Sequence, residues 1–296
     1  MDSKQNPFSL YDFLGYFTPG AVFLYVSMAI SDRFLDFHLH HTLKLRGFTE
    51  TETYVGLVLL AYILGHTLSF LSSAFVEKFS NWMHGYPSKY LLNISHPGYL
   101  KVNDEHGKPK DMNCELAAIR IVIWIFMFPV AILDFVLGKH LNARNVYVRG
   151  LDAGLTTIIK GKIDRLLKDN SGLTSAPSNY HFGKDDFFRF TYHYALVNSE
   201  HHIPSLKNYV ALYGFTRTMT LMSVLIFWGC LLFYIFSKSE SHILNYMLIA
   251  SIPISYIYYM AFNKFNRRFT LEVLMAIAVI YKVTKRQNPN KYTSIP

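Results

Sequence analysis

Apolar residues gather into blocks separated by polar connections, and the block from Tyr54 to Val76 is the clearest of them. It contains no Asp, Glu, Lys or Arg. At about 1.5 Å per residue it covers the ~30 Å hydrocarbon layer of a bilayer. Within it Ala61, Gly65, Ser69 and Ser73 recur every fourth residue, and Glu77 is next in the row. Small residues at that spacing form a ridge that lets a second helix approach closely. Such a ridge serves either packing inside the chain or contact between copies of it.

The other blocks are less regular. Tyr11 to Ile30 reads as a first span interrupted by Thr18-Pro19-Gly20. Proline removes a backbone donor and clashes one turn back, so a kink is expected there. The alternative is a short interfacial helix followed by a helix capped by Thr18. Ala117 to Leu137 contains Pro129 and is bracketed by Arg120 and Asp134. We read it as a further span, with an interfacial helix as the alternative. Ser205 is the expected N-cap of a helix that runs through the apolar residues Met219 to Phe236 and is longer than a bilayer requires. A short turn then leads to the last span, Ile243 to Phe262. Leu271 to Tyr281 is too short to cross and reads as a separate helix beneath the membrane or against the polar region.

The polar connections differ in character. Asn81 to Glu115 is rich in turn residues and reads as a folded loop with little regular structure. Lys139 to Arg217 carries eleven Lys or Arg against six Asp or Glu. In it Leu151, Leu155, Ile158, Ile159, Ile163, Leu166 and Leu167 follow helical spacing, with Lys160, Lys162, Arg165 and Lys168 between them. This is a basic amphipathic helix, suited to an anionic membrane face or to a small polar domain. A second helix is expected from Asp185, carrying Phe187, Phe188, Tyr192 and Leu196. Arg217, Arg267 and Arg268 are read as further basic residues at the membrane surface. The tail beyond Asn263 is also basic, so the positive-inside rule puts both regions and the C-terminus in the cytoplasm.

The fold expected is therefore an all-α polytopic membrane protein with four or five transmembrane helices and a cytoplasmic helical region. It divides into an N-terminal membrane region (1–137), a basic helical region (138–217), a transmembrane hairpin (218–262) and a basic tail (263–296). Composition agrees, with 51% hydrophobic and 17% charged residues, where soluble domains carry about 25% charged. The net charge of +9 is accounted for by cytoplasmic loops, which leaves nucleic-acid binding as the weaker explanation. Two cysteines, Cys114 and Cys230, make no disulfide framework, and the N-terminus lacks the pattern of a removable signal peptide.

Few residues invite chemistry. His38, His40 and His41 form one cluster and His201 and His202 another; convergence of the two would make a metal site, and solvated loop histidines are the plainer reading. His66 lies inside the second span and Asp134 at the end of the doubtful one, and intramembrane polar groups of this kind face a partner or a cavity. The chain has no G-x-S-x-G, GxxxxGK[ST], paired CxxC or HExxH, which argues against a hydrolase, NTPase, zinc-finger protein or zincin. No cofactor is called for.

Tyr16-Phe17-Thr18-Pro19-Gly20, Leu64-Gly65-His66 with Ser72-Ser73 and Glu77, Gly85-Tyr86-Pro87-Ser88, and Asn208 to Arg217 together resemble uncharacterised bacterial multi-spanning inner-membrane proteins. Some of those are carried near anti-phage defence genes. The resemblance implies a bacterial inner membrane and a membrane-disrupting effector or a sensor. The function expected is a non-enzymatic, self-associating membrane protein, with the lipid bilayer, a second copy and a cytoplasmic protein as partners. The alternatives are a metal-dependent enzyme acting on lipid and a small transporter.

Overall fold

The computed structural model describes residues 12–34, 47, 49–103, 109–170, 186–237 and 242–280. Among the described residues the chain is all-α apart from one antiparallel pair, β1 (Lys101–Asn103) and β2 (Pro109–Asp111). Helix α1 joins a π-turn, Phe13–Phe17, to Thr18–Phe34. The interruption at Thr18-Pro19-Gly20 takes the form of that π-turn, and Thr18 Oγ1 donates to the Phe13 carbonyl at 2.9 Å.

Helix α2 runs from Glu50 to His84 through a π-turn at Ser73–Glu77. It starts in a capping box: the Thr49 hydroxyl accepts from the Glu52 amide, and the Glu52 carboxylate accepts from the Thr49 amide at 2.9 Å. It stops at Gly85, whose φ of +83° suits a residue without Cβ. Short α3 (Pro87–Tyr90) follows, so the stretch expected to be loop begins as helix and contains the strand pair.

Cys114–Phe126 (α4) and Phe128–His140 (α5) meet at an 81° bend. Pro129 stands just past the break, where it has no donor to lose to a continuing helix. After α6 (Arg144–Tyr147) come α7 (Ala153–Asn170) and α8 (Phe187–Asn198). Two long helices close the described chain: α9, Ile203–Ser237, of 35 residues, and α10, His242–Ile280, of 39. Helix α9 begins two residues before Ser205, which is therefore inside the helix rather than its cap. Helix α10 continues unbroken through Leu271, so the separate tail helix expected from sequence is an extension of the last span. Nothing between Phe262 and Leu271 breaks a helix, and Asn263 Nδ2 donates back to the Tyr259 carbonyl at 2.9 Å.

Among the described residues four helices are long and apolar enough to cross a membrane, or five if the bent α4–α5 pair counts as one crossing. The bundle is apolar outside: Tyr25, Val55, Leu59, Ile63, Phe70, Leu232, Ile235, Ile249 and Ile257 are exposed. Its contacts are partly hydroxylic, since Thr216, Thr218, Thr220 and Ser223 are buried along α9 and each donates to the carbonyl four residues earlier. Lipid, not water, suits such an outer surface.

The described residues form two apolar cores. One holds Leu68, Val76, Phe79, Met127, Val130, Leu221, Val224, Tyr256, Tyr259 and Phe262. The other holds Leu91, Leu92, Ile159, Ile163, Leu166, Phe187, Ala195, Leu206, Val273, Leu274 and Ile277. Helices α9 and α10 contribute to both. The flanks of the bent pair also meet: the Leu151 amide donates to the Leu91 carbonyl at 3.0 Å, and Asn93 Nδ2 donates to the Leu151 carbonyl at 2.8 Å. A segment whose two ends join on one side enters and leaves on that side, so this geometry favours four crossings with α4–α5 dipping in.

Two predictions follow from the packing and the topology. A Cβ at Gly65 would sit 1.9 Å from the Tyr16 carbonyl oxygen, and one at Gly20 1.9 Å from that of Ala61. Each Gly→Ala change should cost about 3 kcal/mol, since backbone must move, whereas Gly229→Ala, with open space around it, should be neutral; thermal melts in detergent report the difference. In a Cys114→Ser background, Leu100→Cys and Leu141→Cys should react with an impermeant maleimide from the same side of oriented vesicles. Labelling from opposite sides would mean that α4–α5 crosses.

Candidate functional site

The densest polar cluster lies where α2, α5, α6 and α10 meet, and it centres on Asp134. This residue opens the π-turn Asp134–His140 and is 0% exposed. The Arg144 guanidinium donates to it at 2.5 Å, as does the Tyr147 hydroxyl. Tyr147 in turn meets Tyr256 of α10, hydroxyl to hydroxyl, at 3.2 Å. The His84 Nε2 stands 4.0 Å from the carboxylate, buried and without a hydrogen-bond partner. The His84 ring lies 6.0 Å from that of Tyr147 and 6.1 Å from that of Tyr259. Beside them the Ser80 hydroxyl donates to the Asn263 side-chain oxygen. The Tyr259 hydroxyl faces this pair without reaching hydrogen-bonding geometry.

The local fold explains the convergence. A π-turn inserts an extra residue in the helical ladder and rotates the side chains that follow, and such turns are frequent at functional sites. Gly138 lies in the same turn, and a Cβ there would come 2.6 Å from the Asp134 carboxylate. The Tyr147 phenol is held well above its ordinary pKa by burial and then by the Asp134 charge. Burial works against the charge on Arg144, but the hydrogen bond and charge of Asp134 more than restore it and its pKa is raised. Chemically the cluster holds one buried negative charge neutralised by Arg144 and the Tyr147 O–H. Mechanically it clamps the returning end of the bent pair to α10.

A second polar junction joins α9 to α2. Arg217, expected at the membrane surface, turns inward: its guanidinium pairs with Glu77, donates to Ser72 Oγ at 3.1 Å and approaches the Ser69 carbonyl at 3.4 Å. These partners sit at and beside the π-turn of α2, which turns Glu77 and Ser72 toward α9.

Other residues flagged by the sequence are placed as follows. Ala61, Gly65 and Ser69 are buried and Ser73 half-buried; Gly65 and Ala61 lie against α1 at Tyr16 and Gly20, so that part of the ridge is occupied within the chain. His66 is exposed on the outer face of α2, stacked on Tyr16 at 4.0 Å and edge-on to Tyr62 at 4.5 Å. His38, His40 and His41 lie outside the described residues. His201 is exposed, and His202 bonds through Nδ1 to Glu272 at 2.6 Å; no group of metal-holding side chains occurs among the described residues. On α7, Arg165 and Lys168 are exposed, Lys160 and Lys162 half-buried, and the Lys162 ammonium donates to the Ala278 carbonyl. The apolar stripe of α7 packs with the end of α10 rather than facing lipid. Arg267 Nε donates to the Arg149 carbonyl at 2.8 Å, and Arg268 is exposed.

Sequence reasoning singled out Asp134 but not its neighbours. Ser80 and His84 come from α2, Arg144 and Tyr147 from α6 and Tyr256 from α10, and nothing in the sequence links these three segments to one another or to Asp134. No family model, curated protein or solved structure matches the chain.

Removing the carboxylate should leave Arg144 unpaired. A fully buried pair broken this way costs about 3–5 kcal/mol, and Arg144, 29% exposed at its side chain, should recover part of that by hydration. Asp134→Asn should therefore lower the melting midpoint clearly. Asp134→Leu combined with Arg144→Met should fall less than the sum of the single changes, as a double-mutant cycle of melts would show.

Proposed function

We propose that this is a non-enzymatic membrane protein that receives a signal or partner on its basic side and passes it to the membrane bundle. The observation that carries this reading is that α9 and α10 run unbroken from one core into the other. At about 1.5 Å per residue the two helices are roughly 50 and 60 Å long, well beyond the ~30 Å a bilayer needs. A shift in the polar layer must move the spans, because the same rods build both. The receiving surface has a natural place in a cavity of about 680 Å³ between α8, α9 and α10, with Phe187, Tyr192, Val210, Tyr213 and Phe269 in its wall. Arg217 and Glu77 lie one turn beyond Tyr213 on the membrane side, so the cavity adjoins the junction between layers.

The basic side is cytoplasmic in this proposal, by the excess of Lys and Arg in residues 139–217 and beyond 263. The setting is a bacterial inner membrane, and the resemblance noted above supports a role in anti-phage defence, as an effector that perturbs the membrane when triggered. Self-association belongs to the same proposal but moves to another face. His66 presents an imidazole at membrane depth among exposed Leu59, Ile63 and Phe70. A polar ring facing lipid is unfavourable, and a second copy on this face would cover it.

Reconstituted protein in dye-loaded liposomes tests both parts. A defined oligomer by light scattering that shrinks in His66→Leu, with leakage provoked by a cytosolic extract, is the expected result. A monomer would remove the self-association part, and liposomes that stay tight under every trigger would remove the effector part.

A further inference from the structure

A second, smaller cavity of about 240 Å³ lies between the end of α2, the strand pair and α4. Its wall carries Lys89, Lys101, Arg120, His84 and His96, and no Asp or Glu among the described residues. Arg120 is held in a fixed attitude: its guanidinium donates to the Tyr99 carbonyl, approaches that of Lys101 at 3.4 Å and lies over the Trp82 ring at 4.8 Å. The Tyr99 hydroxyl returns a bond to the Arg120 carbonyl at 2.7 Å, strapping the strand pair to α4. These anchors are neutral, and among the described residues no carboxylate pairs with Arg120. Burial and then the Arg120 charge hold the His96 imidazole below its ordinary pKa, against a hydrogen bond to Asn81. Among the described residues the wall of the cavity is thus positive, with the Arg120 guanidinium held in a fixed place in it.

We propose that this cavity binds a phosphate group, presented by the headgroup of an anionic phospholipid. A fixed Arg with Lys ammonium groups beside it matches phosphate oxygens, and the volume is below the ~300–1,000 Å³ of pockets that hold whole small molecules. Position argues for lipid. Helix α4 descends from this site to Phe126, whose carbonyl accepts from Trp228 Nε1 of α9 at 2.7 Å, within the membrane bundle. Its outer face exposes Leu116, Ile119, Val122 and Trp124, along which acyl chains would lie with the headgroup at Arg120 and Lys101. The site does not depend on the signalling reading, because it uses neither the larger cavity nor α9–α10 coupling.

Thermal melts of the full chain in detergent test it, with phosphatidylglycerol, phosphatidylcholine or inorganic phosphate added. Phosphatidylglycerol should raise the midpoint and phosphatidylcholine should not. Lys101→Gln and Arg120→Gln should each require about fivefold or more phosphatidylglycerol for the same protection, the effect of losing one charge-assisted contact. Arg120→Gln also loses the guanidinium's bond to the Tyr99 carbonyl and its place over Trp82, so Lys101→Gln, whose side chain is exposed, decides if the former does not fold. Equal protection by inorganic phosphate, lost in Lys101→Gln, would keep the phosphate site and overturn the lipid source. No protection by either, or protection undiminished in Lys101→Gln, would overturn the site.

Discussion

The antiparallel packing of α9 on α10 is the contact on which everything else rests. Small hydroxylic residues are buried along both helices, including Thr218, Thr220, Ser223, Ser251 and Ser255. Each of these hydroxyls is satisfied by a carbonyl on its own helix, so the contact needs no water. That is the condition for close packing in a lipid environment, where an unpaired polar group has no solvent to turn to. Because the pair outruns the length a bilayer needs, it also offers a second docking surface, and α7, α8 and the Leu91–Leu92 turn use it to form the second apolar core.

Polar clusters mark the places where other elements are fastened to that pair. Arg217 fastens α2 through Glu77 and Ser72. Asp134 fastens the bent α4–α5 pair, through Tyr147, to Tyr256. In both cases a π-turn carries the acid, at Ser73–Glu77 and at Asp134–His140. A widened turn changes the direction of a side chain without ending the helix, which lets a span aim a charge sideways into protein instead of lipid. The Asp134 cluster borders the first core through Tyr256 and Tyr259, and Arg217 lies on α9 between Leu206 of the second core and Leu221 of the first.

The bent pair follows the same logic. A non-helical break is tolerated at membrane depth only when its backbone groups find partners in protein. The Phe126 carbonyl, freed by the break, accepts from the Trp228 indole, and the returning helix is anchored by Asp134. The result is an element with a lipid-facing outer side and a basic cavity at its mouth, two features that meet at Arg120.

The sequence by itself determined the helices and their environment. Uncharged runs the length of a bilayer, such as Tyr54 to Val76, can satisfy their backbone only by local hydrogen bonds, so pattern alone specifies all-α spans. The heptad-like spacing of Ile159, Ile163 and Leu166 was equally legible, because it is a property of one helix. Asp134 stood out for the same local reason, as a charge closing an apolar run. What only the tertiary structure decided was where each face went. Of the small-residue row, Ala61 and Gly65 meet Gly20 and Tyr16 of α1. Arg217 read as an anchor in the headgroups and is an internal tie. Residues 117–137 read as one continuous span and instead bend by 81° between α4 and α5, with Leu91 and Leu151 bonded across their flanks. In each of these the deciding partner is remote in sequence, and its contact energy leaves no periodic trace in either segment.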